Sequence, residues 1–446
     1  METNYFTDPE FKEPGEKKKK SFFLGVLIGV CVTTLVLCTF FICFIIGMEA
    51  GAKDSRINVT RDRDTSASSA SNSGGETDPK PGETKNNPDG PADEDFSYKA
   101  GEIYKLINEV FYFEDNIDTS LMQEKMYAAL LDALNDPYST YYTVEEWKSE
   151  TEDSSGTYYG IGSYVTIDEK TQYPMLSGVF DGSPASKAGL RNGDIIYEVN
   201  GENVGGYALT DVVKLIRGPE NTDVTLTIIR DGKDNLTVAV TRGKVNTISV
   251  ESDVKRGNIG YIQIKEFSEV AEPQFKEALA DLKSKNVGGI IIDLRGNGGG
   301  NLSTVLNICE ELLPKGLITY LEYKDGQRQE FTCSGKHEID IPMVVLVNGY
   351  SASASELMTG ALRDHKKATI IGTTTYGKGI AQSLYPFTDG TAVKLTTASY
   401  FTPNGECVHK KGITPDIELE FDSEKYYDEE NPVDNQLEYA IDYLLR

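Results

Sequence analysis

Three serines alternate with alanines at Ser351, Ser353 and Ser355, Glu356 follows at once, and a lysine flanked by glycines stands at Lys378. A serine hydroxyl is a useful nucleophile only when a neighbouring base removes its proton. Lysine can be that base when it is neutral, which requires burial to lower its pKa. The local pattern suits such a pair. Pro342 to Val347 reads as an apolar strand, Asn348-Gly349-Tyr350 as a tight turn, and Ala354 to Asp364 as a helix. The serines therefore sit at a helix N-terminus, where free N–H groups and the dipole favour negative charge. The Ala354 N–H can there face a developing oxyanion. Gly377 and Gly379 allow a sharp turn and a close approach of other backbone around Lys378. Plainer readings exist for both residues. Ser353 and Glu356 have the spacing of a capping box, and a lysine between glycines also fits an exposed turn.

A second loop could hold an anion. Ile292-Asp293-Leu294-Arg295-Gly296-Asn297-Gly298-Gly299-Gly300 follows a buried strand and precedes a helix. Its glycines expose consecutive N–H groups, a nest for an anion or oxyanion; a simple strand-to-helix turn is the plainer reading. Asn301 breaks the dinucleotide pattern Gly-x-Gly-x-x-Gly. Gly372 to Gly379 nearly spells a phosphate-binding P-loop, but Gly379 stands where Ser or Thr must hold Mg²⁺. His337, His365 and His409 each lie among charged residues, read as solvated, and lack metal-binding spacing. Cys309, Cys333 and Cys407 show no zinc or disulfide pattern. No metal and no organic cofactor is implied.

These loops need elements to hold them. Tyr98 to Glu152 reads as helical, with Ile103, Leu106, Ile107, Val110 and Phe111 on one face. Asp153 to about Gly243 is rich in strands and turns. From Gly257 strands and helices alternate, which argues for an α/β core. An amphipathic helix from Asp434 to Arg446 closes the chain.

Length and charge bound the rest. The 446 residues allow two or three domains, and the net charge of −26 excludes nucleic acid as a partner. Lys17 to Lys20 precede an uncharged apolar stretch from Ser21 to Gly47, long enough to span a bilayer and too long for a cleaved signal peptide. The lysines place the short N-terminus in the cytoplasm and the remainder outside it. Residues from Ala50 to about Phe96 are polar and poor in large apolar groups, as in a flexible stalk. A coil of about 45 residues spans on the order of 35–40 Å.

Taken together, the blocks Val347-Asn-Gly-Tyr-Ser-Ala-Ser353-Ala-Ser-Glu356, Tyr376-Gly-Lys378-Gly-Ile-Ala-Gln382 and Asp293-Leu-Arg-Gly-Asn-Gly-Gly299 resemble the carboxyl-terminal processing peptidases. These tail-specific proteases use a Ser–Lys dyad and contain an embedded PDZ domain. The resemblance runs from about Tyr98 to the C-terminus. It implies Ser353 as nucleophile, Lys378 as base, Gln382 as the residue orienting it, and the N–H groups of Gly299 and Ala354 as the oxyanion hole. Ser183-Pro-Ala-Ser-Lys-Ala-Gly189-Leu with Asn192-Gly193-Asp194 looks like a PDZ domain of bacterial type. Tyr159, Gly160, Ile161 and Gly162 match its carboxylate-binding loop, and Arg217 corresponds to a residue that could couple the domain to the active site.

The fold so implied is an α/β protease core of crotonase or Clp-protease type, with an inserted β-rich PDZ domain, an N-terminal helical segment and one transmembrane helix. Its expected parts are a cytoplasmic tail at 1–20, a signal anchor at 21–47, a linker at 48–96 and a helical region at 97–152. The PDZ domain follows at 153–243, the peptidase core at 244–422 and a helical tail at 423–446. The expected protein is a single-pass membrane serine endopeptidase of bacterial type, acting outside the cytoplasm on proteins with free C-termini. A homo-oligomer or an activating partner stays open. The alternative is an inactive PDZ scaffold that binds C-termini without cutting them.

Overall fold

The computed structural model describes residues 93–232, 235–428 and 430–446. The expected cytoplasmic tail and signal anchor, and nearly all of the linker, lie outside them. Among the described residues no helix is long and apolar enough to cross a membrane. The residues from Gly101 onward form one compact unit.

The N-terminal region holds helices Asp93–Val110, Thr119–Asp132 and Val144–Ser155. Asp118 caps the second, accepting from Leu121 N–H at 2.9 Å. Thr143 and Glu146 form a capping box on the third, and Gly156 ends it in the left-handed region at φ 67°. The helical reading of Tyr98 to Glu152 is corrected at Thr140–Tyr142, a strand paired antiparallel with Ala392–Phe401. Pro137 stops the preceding helical run, and the residues after it are of strand-forming type. Ile103, Leu106, Val110 and Phe111 are exposed.

The expected PDZ domain enters on strand Thr157–Gly160 and leaves on strand Gly243–Asn246, and these two pair antiparallel. The insertion's two connections thus run together. Between them a six-stranded sheet runs in the order Ser163–Ile167, Pro174–Val179, Ile195–Val199, Asp223–Ile229, Leu236–Thr241, with the short strand Glu202–Asn203 paired to Ile195–Val199 off that path. Val224, Leu226 and Ile228 alternate inward, and helix Leu209–Ile216 closes the core with Val212 and Ile216. Asp194, nearly fully buried, is paired with Arg230 at 2.7 Å.

In the α/β core, strands Ile259–Ile264, Gly289–Asp293, Met343–Val347, Ala368–Gly372 and Ile417–Glu418 lie parallel in that order, and Val250–Lys255 pairs antiparallel at one edge. Gly289–Asp293 and Met343–Val347 are buried at every residue. Both faces of the sheet are covered, so these strands read as unbroken apolar runs. One face packs against helices Ala271–Ser284, Leu302–Glu310 and Ala354–Asp364 through Phe275, Ile308 and Met358. The other is covered by helix Asn435–Leu444 through Ala440 and Ile441. A second sheet is built around the long strand Ala392–Phe401, with Ile380–Pro386 on one side and Thr140–Tyr142 and Gly316–Tyr323 on the other. The glycine loop, the serine run and the lysine loop therefore leave the carboxyl ends of three adjacent parallel strands. Open α/β sheets place their ligands there.

Candidate active site

The three serines differ in what their hydroxyls do. Ser351 Oγ is fully buried, donates to Leu294 O at 2.8 Å and accepts from Asn348 N–H at 2.9 Å. Ser355 Oγ, also fully buried, donates to Asn297 O at 2.9 Å. Both hold the glycine loop against the serine turn. Ser353 instead lines a cavity of about 650 Å³ with Lys378, Gln382, Gly299 and Tyr400. Its backbone is at φ 55°, ψ −114°, a sparsely populated region for a residue with a side chain. Surrounding contacts hold this strained turn. Ser353 N–H donates to Glu356 Oε2 at 2.9 Å, and Tyr400 Oη donates to Ser353 O at 3.0 Å. The capping-box arrangement with Glu356 is in place, but Ser353 forms no side-chain cap hydrogen bond of ordinary geometry.

Glu356 is the residue the sequence underplays. Its spacing from Ser353 suggests a helix cap, yet its fully buried carboxylate reaches across to the lysine loop. Oε1 accepts from Thr375 Oγ1 at 2.6 Å and from Gly377 N–H at 2.7 Å, while Oε2 also accepts from Lys378 N–H at 2.8 Å. One carboxylate with four donors therefore ties the backbone of Ser353 to that of Lys378. Such a group is stable in the interior because every charge-bearing oxygen is hydrogen-bonded.

Lys378 needs both flanking glycines. A Cβ on Gly377 would stand 2.9 Å from Gly412 N, and one on Gly379 would collide with His409 N. The Lys378 ammonium lies 4.5 Å from the centre of the Tyr138 ring. Burial, and after it the charge of Lys394, hold its pKa below the ordinary lysine value, with Asp136 and Glu150 pulling the other way. No hydrogen bond joins Ser353 Oγ to Lys378 Nζ; the two share the cavity. Gln382 lines it too, but its Nε2 donates to Thr396 Oγ1 at 3.1 Å rather than contacting Lys378.

The glycine loop meets the serine turn closely. A Cβ on Gly299 would stand 2.9 Å from Ser353 Cβ and 3.2 Å from Ala354 N. Gly299 N–H donates to Asn297 Oδ1 at 2.8 Å, so it is engaged within its own loop rather than free for an oxyanion. Ala354 N–H, at the first position of its helix, has no acceptor among the described residues. Asn297, fully buried, fastens the loop: Nδ2 donates to Ile264 O at 2.9 Å, and its carbonyl accepts from Ala352 N–H at 3.0 Å and from Ser355 Oγ.

The expectation of three solvated histidines holds for His337 alone. His365 Nε2 lies 2.7 Å from Leu317 O, and His409 Nδ1 is buried without a partner. None of the three lines the cavity. Among the described residues, no cluster of His, Cys, Asp or Glu could hold a metal ion.

In the PDZ domain, Tyr159 and Gly160 end the entry strand, Ile161 is buried and Gly162 has φ 77°. The Ile161 and Gly162 N–H groups have no acceptor among the described residues. Beside them a cavity of about 220 Å³ is lined by Ile161, Tyr164, Phe180, Val213 and Ile216. Arg217 also borders it, stacked 4.5 Å over the Tyr158 ring and 3.6 Å from Glu152 of helix Val144–Ser155.

Comparisons with known proteins bear on the family of the chain. The model of peptidase family S41 matches residues 258–419, and a PDZ-domain model matches residues 176–230. The carboxy-terminal processing protease CtpA of Bacillus subtilis (strain 168) is 36% identical over 323 residues, covering 72% of this chain and 68% of that protein. A Staphylococcus aureus (strain MRSA252) protein named "Probable CtpA-like serine protease" is 37% identical over 331 residues, covering 74% of this chain and 65% of that one. Among solved structures, a photosystem II D1 C-terminal processing protease is 29% identical, with a TM-score of 0.42 over 72% of this chain and 88% of that one.

Proposed function

The chain belongs to peptidase family S41, as a CtpA-like serine peptidase with a PDZ domain, and from that premise we propose that it is a membrane-anchored Ser–Lys endopeptidase that selects extracytoplasmic proteins by their C-terminal tails. The observation that carries the catalytic assignment is the contrast among the serines. Ser351 and Ser355 have structural hydrogen bonds, and Ser353 alone opens onto a cavity shared with a partly buried lysine. Ser353 Oγ attacks the peptide carbonyl as neutral Lys378 takes its proton. The tetrahedral oxyanion is held by Ala354 N–H and by Gly299 N–H once the latter turns from Asn297. Lys378 then passes the proton to the leaving amine, an acyl-enzyme remains on Ser353, and water hydrolyses it. Gln382, in strand Ile380–Pro386, borders the same cavity and orients the lysine once its amide turns from Thr396.

Substrate choice belongs to the PDZ domain. The open N–H groups of Ile161 and Gly162 receive a free carboxylate, and the tail adds as a strand beside Ser163–Ile167 with an apolar side chain in the neighbouring cavity. Tyr159 and Gly160 shape the entrance of that loop. Arg217, in contact with Glu152, couples a filled PDZ groove to the helix that borders the catalytic cavity. The uncharged stretch 21–47 anchors the chain, the linker carries the catalytic part outside the cytoplasm, and the core is of the crotonase and Clp-protease kind. No cofactor enters this scheme.

The test is cleavage of paired peptides, one with a free C-terminus and one amidated, by the full chain and its Ser353→Ala variant. Cleavage of the free acid in preference to the amide, lost in the variant, is expected. Equal cleavage of both peptides sinks the tail reading. Binding without cleavage by the unaltered protein sinks the catalytic one.

A further inference from the structure

A second lysine shares the cavity. Lys394 lies in the strand Ala392–Phe401, in register with Leu384 on one side and Thr140 on the other. Its Nζ donates to Glu150 Oε1 at 2.9 Å and lies 5.1 Å from the centre of the Tyr142 ring. Lys394 and Glu150 both line the space that holds Ser353, Lys378 and Gln382.

We propose that Lys394 and Glu150 are a positioning pair for the catalytic lysine: the Lys394 ammonium, fixed by Glu150 and Tyr142, faces Lys378 across the cavity and favours its uncharged form, while Glu150 limits that influence. The inference rests on Lys378 being the base.

Two ammonium groups in one poorly solvated space repel, and the one without a carboxylate partner gives up its proton first. Among the described residues Lys394 has such a partner and Lys378 has none within salt-bridge distance. The directions of titration agree. Burial and then Lys394 depress Lys378, whereas burial of Lys394 is outweighed by Tyr142 and Glu150, which lift it. Environments that push two titratable groups apart mark which is the base and which the fixed charge. Asp153, Glu266, Tyr323 and Tyr400 line the same cavity, and further groups approach Lys378 from the neighbouring turns. Asp136 and Tyr138 approach from the turn before Thr140–Tyr142, and Asp136 opposes the effect of Lys394 while held by Ser139 Oγ at 2.6 Å. Tyr376 stands in the lysine's own loop, 3.5 Å from Tyr138 Oη, and Glu356 holds the Lys378 backbone rather than its ammonium.

The test is the pH dependence of kcat/KM for the full chain and three variants. A neutral base works only above its own pKa, so lowering that pKa moves the acid limb down. Lys394→Gln should move the limb up by about half a pH unit or more, a rate roughly threefold lower on the acid side. Glu150→Gln, which unmasks the Lys394 charge, should move it down. Lys394→Arg, keeping the charge, should leave it in place. Limb position does not depend on how much protein is folded, so partial misfolding of a variant does not obscure the reading. If both glutamine variants move the limb the same way, or neither moves it, while Lys378→Ala stays inactive, the pair is only structural. Should Lys378→Ala keep its activity and its limb, the base assignment fails and this inference with it.

Discussion

The two sides of the catalytic cavity are built on opposite principles. On the serine side buried, hydrogen-bonded side chains surround the nucleophile: Asn297, Ser351, Ser355, Glu356 and Tyr400 hold a strained turn. On the lysine side the backbone is equally fixed, by Glu356 and by two glycines packed against other backbone, but among the described residues the ammonium has no hydrogen-bond or ion-pair partner and lies over the Tyr138 ring. A nucleophile must be aimed, and strain at φ 55° is tolerable only where the surroundings over-determine it. A base must change charge and carry a proton to two different atoms, so a rigid charged partner would defeat it. The serine side is organised for geometry and the lysine side for titration.

Removing the reacting group from either side should have the largest effect. Ser353→Ala should abolish cleavage, and Lys378→Ala should lower kcat by roughly 10²–10⁴-fold, the range of general acid–base catalysis; steady-state kinetics on an unfolded protein substrate reads both. Next comes the residue the two sides share. Glu356→Ala leaves four buried donors without an acceptor, and should lower stability by about 3–5 kcal/mol in denaturant unfolding as well as activity. Loss of stability with full activity would show that the two backbones find their places without it. On the serine side alone, Ser355→Ala removes one hydrogen bond to Asn297 O and should lower stability by about 1 kcal/mol, with no shift in the pH profile.

The smallest and most diagnostic change concerns the lysine side. The folded-state pKa of Lys378 lies below its unfolded value, so below the folded pKa the native protein bears a poorly solvated ammonium. Between the two values the unfolded chain binds more protons, and stability rises with pH. Lys378→Met should therefore be more stable than the wild type at low pH, with the advantage shrinking as pH climbs through that window. A variant less stable than the wild type at every pH would mean that the lysine side is not under this strain.

Much of this was legible in residue types and order. The unbroken apolar runs Gly289–Asp293 and Met343–Val347 signal strands covered on both faces, and the glycines around Lys378 signal backbone contact, because both depend on local sterics. What escaped depends on contacts distant in sequence. Glu356 looks like half of a helix cap, since the Thr375, Gly377 and Lys378 donors that complete its shell belong to another loop. Thr140–Tyr142 becomes a strand because Ala392–Phe401 offers it an edge. Nothing local marks Tyr400 or Lys394 as neighbours of the cavity, and the engagement of Gly299 N–H by Asn297 is a matter of side-chain direction within a motif already recognised.

The central claim is that an uncharged Lys378 takes the proton of Ser353. It is tested most directly by the rate at which a fluorophosphonate probe labels Ser353, measured against pH in the wild type and in Lys378→Ala. Labelling should rise through a limb below the ordinary lysine range in the wild type and be slow without that limb in the variant. Wild-type labelling of Lys378→Ala along the same curve would contradict it.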